Sequence, residues 1–357
     1  MNKTRILTIT SILICITILT ACSALFGVEP IAYIHTAREN PALEQDDARP
    51  GQDDTPVDFS PPTRRAPAES LIVTTLTSVE MAEFEAAHAV TPAQERYLAF
   101  GAFLPTVNRE SPRVFALESV TEAQAAHNMS SAWSIVDGET ALVQIRGLVS
   151  ASGQSPVADD IWHTLVRNGR FEPLCGETMF FEGADLTGLE NVYASTVGRA
   201  QGRADEFEAL MFLIEAYDIG LDREEAFELF VLMLLAERVN SGLEAFHVAG
   251  QLLIDAFEFT HEELMSIPTL AAWDYGRAVH VARQSVTAGF LEEEDVWVYL
   301  QKAANSAAGI YNCWREYTAA YVIGRALAFG NNSLDMIAAF DFLLHHYASP
   351  FLTIDFN

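Results

Sequence analysis

Residues 271–330 read AAWDYGRAVHVARQSVTAGF (271–290), LEEEDVWVYLQKAANSAAGIYNC (291–313) and WREYTAAYVIGRALAFG (314–330). Each segment carries apolar residues at helical spacing, and the first and third each contain an internal glycine beside arginine. Glycine inside a helix costs about 1 kcal/mol relative to alanine, so a neighbouring backbone is expected to approach these glycines closely. The stretch predicts three helices at the packing centre of an all-α, multi-helix globular domain.

The chain from Leu71 onward carries the start signals of several further helices. Capping boxes occur at Thr121–Gln124, Asp222–Glu225 and Thr260–Glu263, where the third residue after the cap is Glu or Gln. Thr91-Pro92 combines a cap with proline in the first turn, which is typical of a helix start. The short apolar run 71–76 is compatible with a helix or an extended segment.

These signals also set expected boundaries. One helix should run from Pro92 to about Phe103, and another should begin at Pro268. Asn240 and Leu243 should end one helix and begin the next. The glycine-rich residues 170–202 are expected to form a long connection, and the last helix is expected over 333–347.

The negative net charge of the chain argues against some classes of binding partner. The formal net charge is −28, and Lys3 and Lys302 are the only lysines beside nineteen arginines. Nucleic-acid binding needs cationic groups that face the phosphates, so this composition argues against it. An acidic surface favours solubility or a basic protein partner, and a solvated surface with no specific partner is the simplest interpretation.

The N-terminus has the pattern of a lipoprotein signal peptide over residues 1–21. A short basic segment precedes the apolar segment Ile6–Thr20. Leu19-Thr20-Ala21-Cys22 resembles a bacterial lipobox, in which the cysteine is lipidated and becomes the first mature residue. This interpretation predicts a lipid anchor at Cys22 and an extracytoplasmic protein on the cell membrane or the outer membrane.

A plain membrane anchor is the alternative, because Ile6–Val28 is 23 residues without a charge and about 20 apolar residues span a bilayer. The position of the cysteine after Leu-Thr-Ala favours the lipoprotein. Residues 22–70 then hold seven of the fourteen prolines and two acidic clusters, which predicts a disordered tether. The folded body is expected to comprise N-terminal helices over 71–120 and a domain over 121–357.

Ionisable side chains gather in the first and third quoted segments. Asp274 lies three residues before Arg277, close enough on a helix to pair with it. The remaining candidates are His280, Arg283, Glu316 and Arg325.

Two interpretations fit this set. In a functional one, arginines hold an anion in a polar pocket, Asp274 or Glu316 acts as a base, and His280 acts as an acid or a base. In a structural one, the same groups form a buried network that fixes the register of the helices. The structural interpretation is favoured, because arginine–carboxylate pairs inside helical domains most often orient helices.

The same segments carry a family resemblance. The residues concerned are WDYGRA (273–278), Arg283, Gly289-Phe290, Trp297, Trp314 and YVIGR (321–325). They resemble the bacterial domain-of-unknown-function 1266 family over roughly 121–329. Ser134 and Cys313 depart from its pattern, where glycine and serine are expected. The resemblance implies an all-helical domain without a known catalytic mechanism, and it adds no ligand.

Cysteine and histidine patterns add little chemistry. Once residues 1–21 are removed and Cys22 is acylated, Cys175 and Cys313 remain, either bridged in an oxidising envelope or free in the core. His261-Glu262-Glu263-Leu264-Met265 lacks the second histidine of a zinc motif. The sequence therefore predicts no metal site and no cofactor.

Three functions remain open. A lipid-anchored interaction or scaffold module is favoured, because the anchor and the acidic surface are present and catalytic motifs are not. The alternatives are a hydrolase or transferase, or a ligand-binding domain, and each would use the cluster of Asp274, Arg277, His280 and Glu316. An enzyme is thus the less favoured class.

Overall fold

The computed structural model describes residue 59 and residues 70–167, 187–330 and 336–357. Within these ranges all regular secondary structure is helical and no strand occurs, which confirms the predicted all-α class. The predicted signal peptide and nearly all of the predicted tether lie outside the described residues. The helices are α1 Leu71–Leu76, α2 Val79–Ala87, α3 Pro92–Ala99, α4 Phe103–Val107, α5 Glu122–Trp133, α6 Gly138–Val149, α7 Ser155–Ile161, α8 Glu190–Gln201, α9 Ala204–Ala216, α10 Arg223–Phe257, α11 His261–Ser266, α12 Ala272–Thr287, α13 Glu293–Ile310, α14 Trp314–Phe329, α15 Ile337–His345 and α16 Pro350–Thr353, with a π-helical turn at Trp162–Val166 after α7.

The helix starts that were predicted from capping residues are confirmed. Thr121 and Gln124 form a reciprocal capping box at α5, and Thr260 and Glu263 form one at α11. Equivalent boxes begin α3 and α10. No helix in the described ranges is both long and apolar enough to cross a bilayer.

Helices α12 and α14 lie side by side at the centre of the fold, as predicted for residues 271–330. The α12 helix packs against α5, α6, α13 and α14, and α14 packs against α7 and α10 as well. A Cβ atom at Gly324 would lie 2.9 Å from Cβ of Trp273 on α12, and one at Gly276 would collide with Tyr321 on α14. The two glycines thus permit the close contact between these helices.

The prediction of a break between Asn240 and Leu243 is wrong. Residues 223–257 form one 35-residue helix, α10. A Cβ atom at Gly242 would lie 2.9 Å from the carbonyl oxygen of Leu327, so this glycine serves the contact between α10 and α14. Glycine here allows close packing in a continuous helix rather than ending one.

Three other boundaries differ from the predictions. The helix that starts at Pro92 ends at Ala99 rather than near Phe103. The α12 helix starts at Ala272, because the Asp159 carboxylate accepts hydrogen bonds from the Leu270 backbone and the Thr269 hydroxyl, both at 2.6 Å, before the helix begins. Residues 190–201, expected within a long connection, form α8, while residues 168–186 lie outside the described ranges.

The last predicted helix is shorter than expected. It begins at Ile337 and ends at His345, and residues 331–335 lie outside the described ranges. The C-terminal residues then fold back over α14, where the Phe351 ring stacks on Trp314 at 4.3 Å and Phe356 meets the same indole edge-on at 4.8 Å. This end of the chain therefore covers the N-terminal turn of α14.

Candidate functional site

Asp274 is fully buried and binds the N-terminus of another helix. Its carboxylate accepts hydrogen bonds from the backbone nitrogens of Gly153, Gln154 and Ser155, at 2.9, 3.0 and 3.0 Å. Ser155 is the first residue of α7, so the carboxylate satisfies amides that have no partner within that helix. Asp274 therefore joins α12 to α7.

Arg277 completes this group from the next turn of α12. It forms an ion pair with Asp274, and its guanidinium lies 4.8 Å from the ring centre of Trp273 and 5.4 Å from that of Trp133. The Phe329 ring lies 6.0 Å away. Aromatic faces attract a cation, so the charge is held by one carboxylate and three rings.

His280 and Arg283 lie further along α12, and both line a cavity of about 300 Å³. Arg283 is buried and donates to the carbonyl oxygens of Phe115, Ser111 and Ala116, at 2.9, 3.0 and 2.8 Å. Its guanidinium therefore fixes the loop that follows α4. Burial, and secondarily the charge of Arg283, lower the pKa of His280 to about 4, so the imidazole is neutral at neutral pH.

Glu110 lies in the wall of the same cavity, although its sequence context offers no motif. Its carboxylate accepts hydrogen bonds from the backbone nitrogens of Glu118, at 2.7 Å, and Ser119, at 3.0 Å, and from the Ser119 hydroxyl. Gln284 also faces this cavity, and its side-chain oxygen has no hydrogen-bond partner among the described residues. The cavity is polar, but its main charged groups bind the surrounding backbone.

Glu316 lies in the first turn of α14, away from these groups. It accepts hydrogen bonds from the backbone and side-chain nitrogens of Asn312, at 2.7 and 3.0 Å, and burial raises its pKa. The neighbouring Arg315, rather than Glu316, takes part in an ion pair, with Glu263 at 3.4 Å. Arg325 is half-exposed near the end of the same helix.

The structure therefore distributes the candidate residues over separate places. Asp274 and Arg277 form one pair, and His280 and Arg283 share a cavity. Within the described part of the chain, no hydrogen bond or ion pair joins Glu316 to Asp274 or His280. Asp274 and Arg283 bind other segments of the chain to α12, and Glu316 binds Asn312 just before its own helix.

Only one of the two cysteines in the predicted disulfide, Cys313, lies in the described part of the chain. Cys313 precedes α14 as its N-cap, is half-buried, and has its thiol pKa raised by burial. Cys175 lies outside the described residues. The disulfide stays a prediction, and alkylation of both thiols without prior reduction would exclude it.

Another cavity, of about 410 Å³, lies where α8, α10 and α14 meet. We call it the arginine cavity, because Arg199, Arg203 and Arg238 line it. The other lining residues are Gln154, Ser195, Thr196, Leu234, Glu237, Ser241, Ala328, Phe329 and Gly330. Sequence reasoning missed this site, although an arginine between Leu235 and Val239, both buried in α10, was a usable signal.

Comparison with known proteins identifies a family. Residues 128–356 match the family model described as "Protein of unknown function (DUF1266)". No curated protein and no solved structure matches the chain. The matched range includes α12, α14 and all three arginines of the arginine cavity.

Proposed function

The chain belongs to the DUF1266 family, whose description assigns no activity, and we propose from the chain's own residues that it is a lipid-anchored cell-envelope protein. In this proposal its helical body is a protein-interaction or scaffold module with a basic protein partner. The N-terminal sequence supports the anchor, because Leu19-Thr20-Ala21-Cys22 follows an apolar segment that a basic segment precedes. In this proposal the segment 22–70 links the lipid anchor to the helical body.

The interaction role rests on one feature, which we call the acidic hairpin. It comprises residues 204–234, that is, α9, the turn after it and the first third of α10. This hairpin packs with Ala200 of α8 in a small apolar cluster, separate from the main core, around Phe207, Leu210 and Phe230. It is therefore an appendage that adds surface to the domain rather than part of the central packing.

The surface of the acidic hairpin combines aromatic side chains with negative charge. Phe212 is 70% exposed and Tyr217 is 62% exposed. The hairpin also carries nine exposed acidic residues, against a single arginine, Arg223. Exposed aromatic residues are frequent anchors of protein interfaces, and complementary charge speeds association and selects the partner. A protein with a basic surface fits this face best.

A hydrolase based on Asp274, His280 and Glu316 has less support from the geometry. The Asp274 carboxylate already accepts three backbone hydrogen bonds and pairs with Arg277. Glu316 is bound to Asn312, and His280 faces a different cavity. A general base must reach the proton of a bound substrate, and the Asp274 and Glu316 carboxylates are directed at the protein's own backbone nitrogens.

Site-specific photocrosslinking tests the proposed interaction on the full-length protein in its membrane. A photoreactive residue is placed at Phe212 and, as a matched control, at Val298, which is 62% exposed on α13. We expect position 212 alone to capture a protein with a basic surface. Glu208→Gln combined with Glu215→Gln should reduce this capture, and high salt should reduce it as well.

Two outcomes would contradict the proposal. Equal capture at positions 212 and 298 would mean that the acidic hairpin has no special role. Capture that ignores both salt and the neutralising substitutions would mean that charge does not select the partner.

A further inference from the structure

The arginine cavity carries excess positive charge in a strongly acidic chain. Three arginines and one glutamate line it, so its wall is formally two charges positive, whereas the whole chain is at −28. The glutamate, Glu237, is exposed. Arg203 pairs with Glu206 at 2.9 Å, but both side chains are well exposed to solvent and this ion pair is screened. The positive charge that no ion pair neutralises is therefore that of Arg199 and Arg238, among the residues that the structure describes.

Arg238 is the buried member of the group, with 9% of its surface exposed. It donates to the Ser195 hydroxyl at 2.8 Å and to the side-chain oxygen of Gln154 at 3.1 Å, and both acceptors are neutral. Its Nε is buried, and in the described part of the chain it has no hydrogen-bond partner. Nor does any carboxylate there lie within ion-pair distance of this guanidinium.

Such a charge is costly to keep without a counterion, because burial removes its hydration. Desolvation, and secondarily the positive charge of Arg199, lower the pKa of Arg238 to about 10. The group nonetheless stays cationic at neutral pH. An anion placed between Arg199 and Arg238 would replace the lost hydration of Arg238 and offset the repulsion between the two guanidinium groups.

We propose that the arginine cavity binds the dianionic phosphate group of a small phosphomonoester. Arg199 and Arg238 form no ion pair in the described part of the chain, so each can pair with one of the two negative charges of the phosphate. The planar guanidinium presents a fork of N–H donors that matches phosphate oxygens, and arginine is favoured over lysine for this geometry. A dianion is therefore preferred to a single carboxylate.

The size and the remaining wall of the cavity fit the rest of such a ligand. A volume of about 410 Å³ falls within the range of small-molecule sites. Leu234, Ala328 and Phe329 provide apolar surface for an organic group beside the phosphate. The cavity near His280 offers no such charge, because Arg283 there donates to three carbonyl oxygens of the protein.

Titration calorimetry on the full-length protein in detergent tests this site. Phenyl phosphate is the dianionic probe at pH 8, and benzenesulfonate is a monoanion of similar shape. We expect phenyl phosphate to bind roughly tenfold or more tightly than benzenesulfonate, because it carries the second charge. Vesicles that contain phosphatidate, compared with vesicles of phosphatidylcholine alone, distinguish a lipid headgroup from a soluble ester as the source of the phosphate.

Arginine variants then locate the binding. Arg199→Gln and Arg238→Gln should each weaken binding of the responding probe roughly tenfold or more. Arg223→Gln, an exposed arginine on the same helix, α10, should leave it unchanged. Arg199 is exposed, so Arg199→Gln should fold normally. If Arg238→Gln is unstable, the affinity of Arg199→Gln alone shows whether the probe binds in the arginine cavity.

The proposal is supported when either the soluble or the vesicle probe binds and loses affinity only in the cavity variants. It is overturned when neither probe binds, or when Arg199→Gln binds as tightly as the unmodified protein. Equal weakening by Arg223→Gln would also overturn it, since that result indicates nonspecific attraction to surface charge.

Discussion

Asp274 and Gln154 are joined by a hydrogen bond of 3.0 Å, from the backbone nitrogen of Gln154 to the carboxylate, although 120 residues separate them. The side-chain oxygen of the same Gln154 accepts a hydrogen bond from Arg238. One residue therefore connects the helix with the most distinctive motif, α12, to the arginine cavity. The buried pair at Asp274 and Arg277 positions a cavity wall without lining the cavity itself.

Asp274→Asn should destabilise the fold strongly. The substitution removes the charge that pairs with Arg277 and weakens the binding of three backbone amides, and breaking a buried ion pair costs about 3–5 kcal/mol. Urea unfolding measures the loss. The control Asp295→Asn changes an exposed acid in the first turn of α13 and should stay within about 0.5 kcal/mol of the unmodified protein. Equal stabilities for both variants would exclude a structural role for Asp274.

Replacing an exposed glycine and a buried glycine by alanine should change the stability of the protein in opposite directions. Gly309→Ala on α13 meets no atom within 4 Å, so the higher helix propensity of alanine should stabilise the protein by about 1 kcal/mol. Gly242→Ala places a methyl group 2.9 Å from the Leu327 carbonyl oxygen and should destabilise it by roughly 1–3 kcal/mol. Thermal unfolding distinguishes the signs, and a gain in stability at Gly242 would contradict the close packing of α10 on α14.

His280 should make stability depend on pH in a defined window. Its pKa is lowered to about 4 in the folded protein, whereas an unfolded histidine titrates near about 6.5. Between these values the unfolded chain binds more protons, so the free energy of unfolding falls as the pH falls from about 6.5 to about 4. The loss should be on the order of 3 kcal/mol, with stability fully retained above that window.

Comparison with His280→Gln isolates this term from other titrations. Asp159 and Glu316 have raised pKa values because of burial, so their protonation acts in the opposite direction in both proteins. The difference in unfolding free energy between the two proteins should therefore shift across this pH range. A constant difference would show that His280 is hydrated and titrates normally.

Cys22→Ser should abolish lipidation. We expect the variant to be released from the membrane or to retain an uncleaved N-terminus, because the modified cysteine is the site at which the signal is processed. Membrane fractionation and the mass of the N-terminal peptide measure both outcomes. Cys15→Ser, within the predicted signal peptide, is the matched control and should behave as the unmodified protein. Normal processing together with full membrane retention in Cys22→Ser would exclude the lipoprotein.

Local chemistry determined which parts of the fold were predictable. The capping boxes at Thr121–Gln124 and Thr260–Glu263 act within one turn, and the structure contains both. The predicted break between Asn240 and Leu243 is wrong, and Gly242 between them makes a contact with Leu327, 85 positions away, that no local signal reveals.

In the candidate site too, local contacts could be predicted from the sequence and long-range contacts could not. Spacing on one helix suffices to pair Asp274 with Arg277. It gives no information on the amides of residues 153–155, which bind the same carboxylate from another helix. The arginine cavity draws its side chains from three helices, so only the assembled structure brings Arg199 and Arg238 together.

The uninterrupted α10 helix is about 52 Å long at 1.5 Å per residue, and it belongs to both apolar clusters. The small cluster has seven buried residues, too few to stay folded without support from the rest of the domain. Order in the acidic hairpin therefore depends on how firmly the far half of α10 is held against α14. Amide hydrogens of the hairpin should exchange first when the contact at Gly242 is loosened, so they report at a distance on the packing of the domain centre.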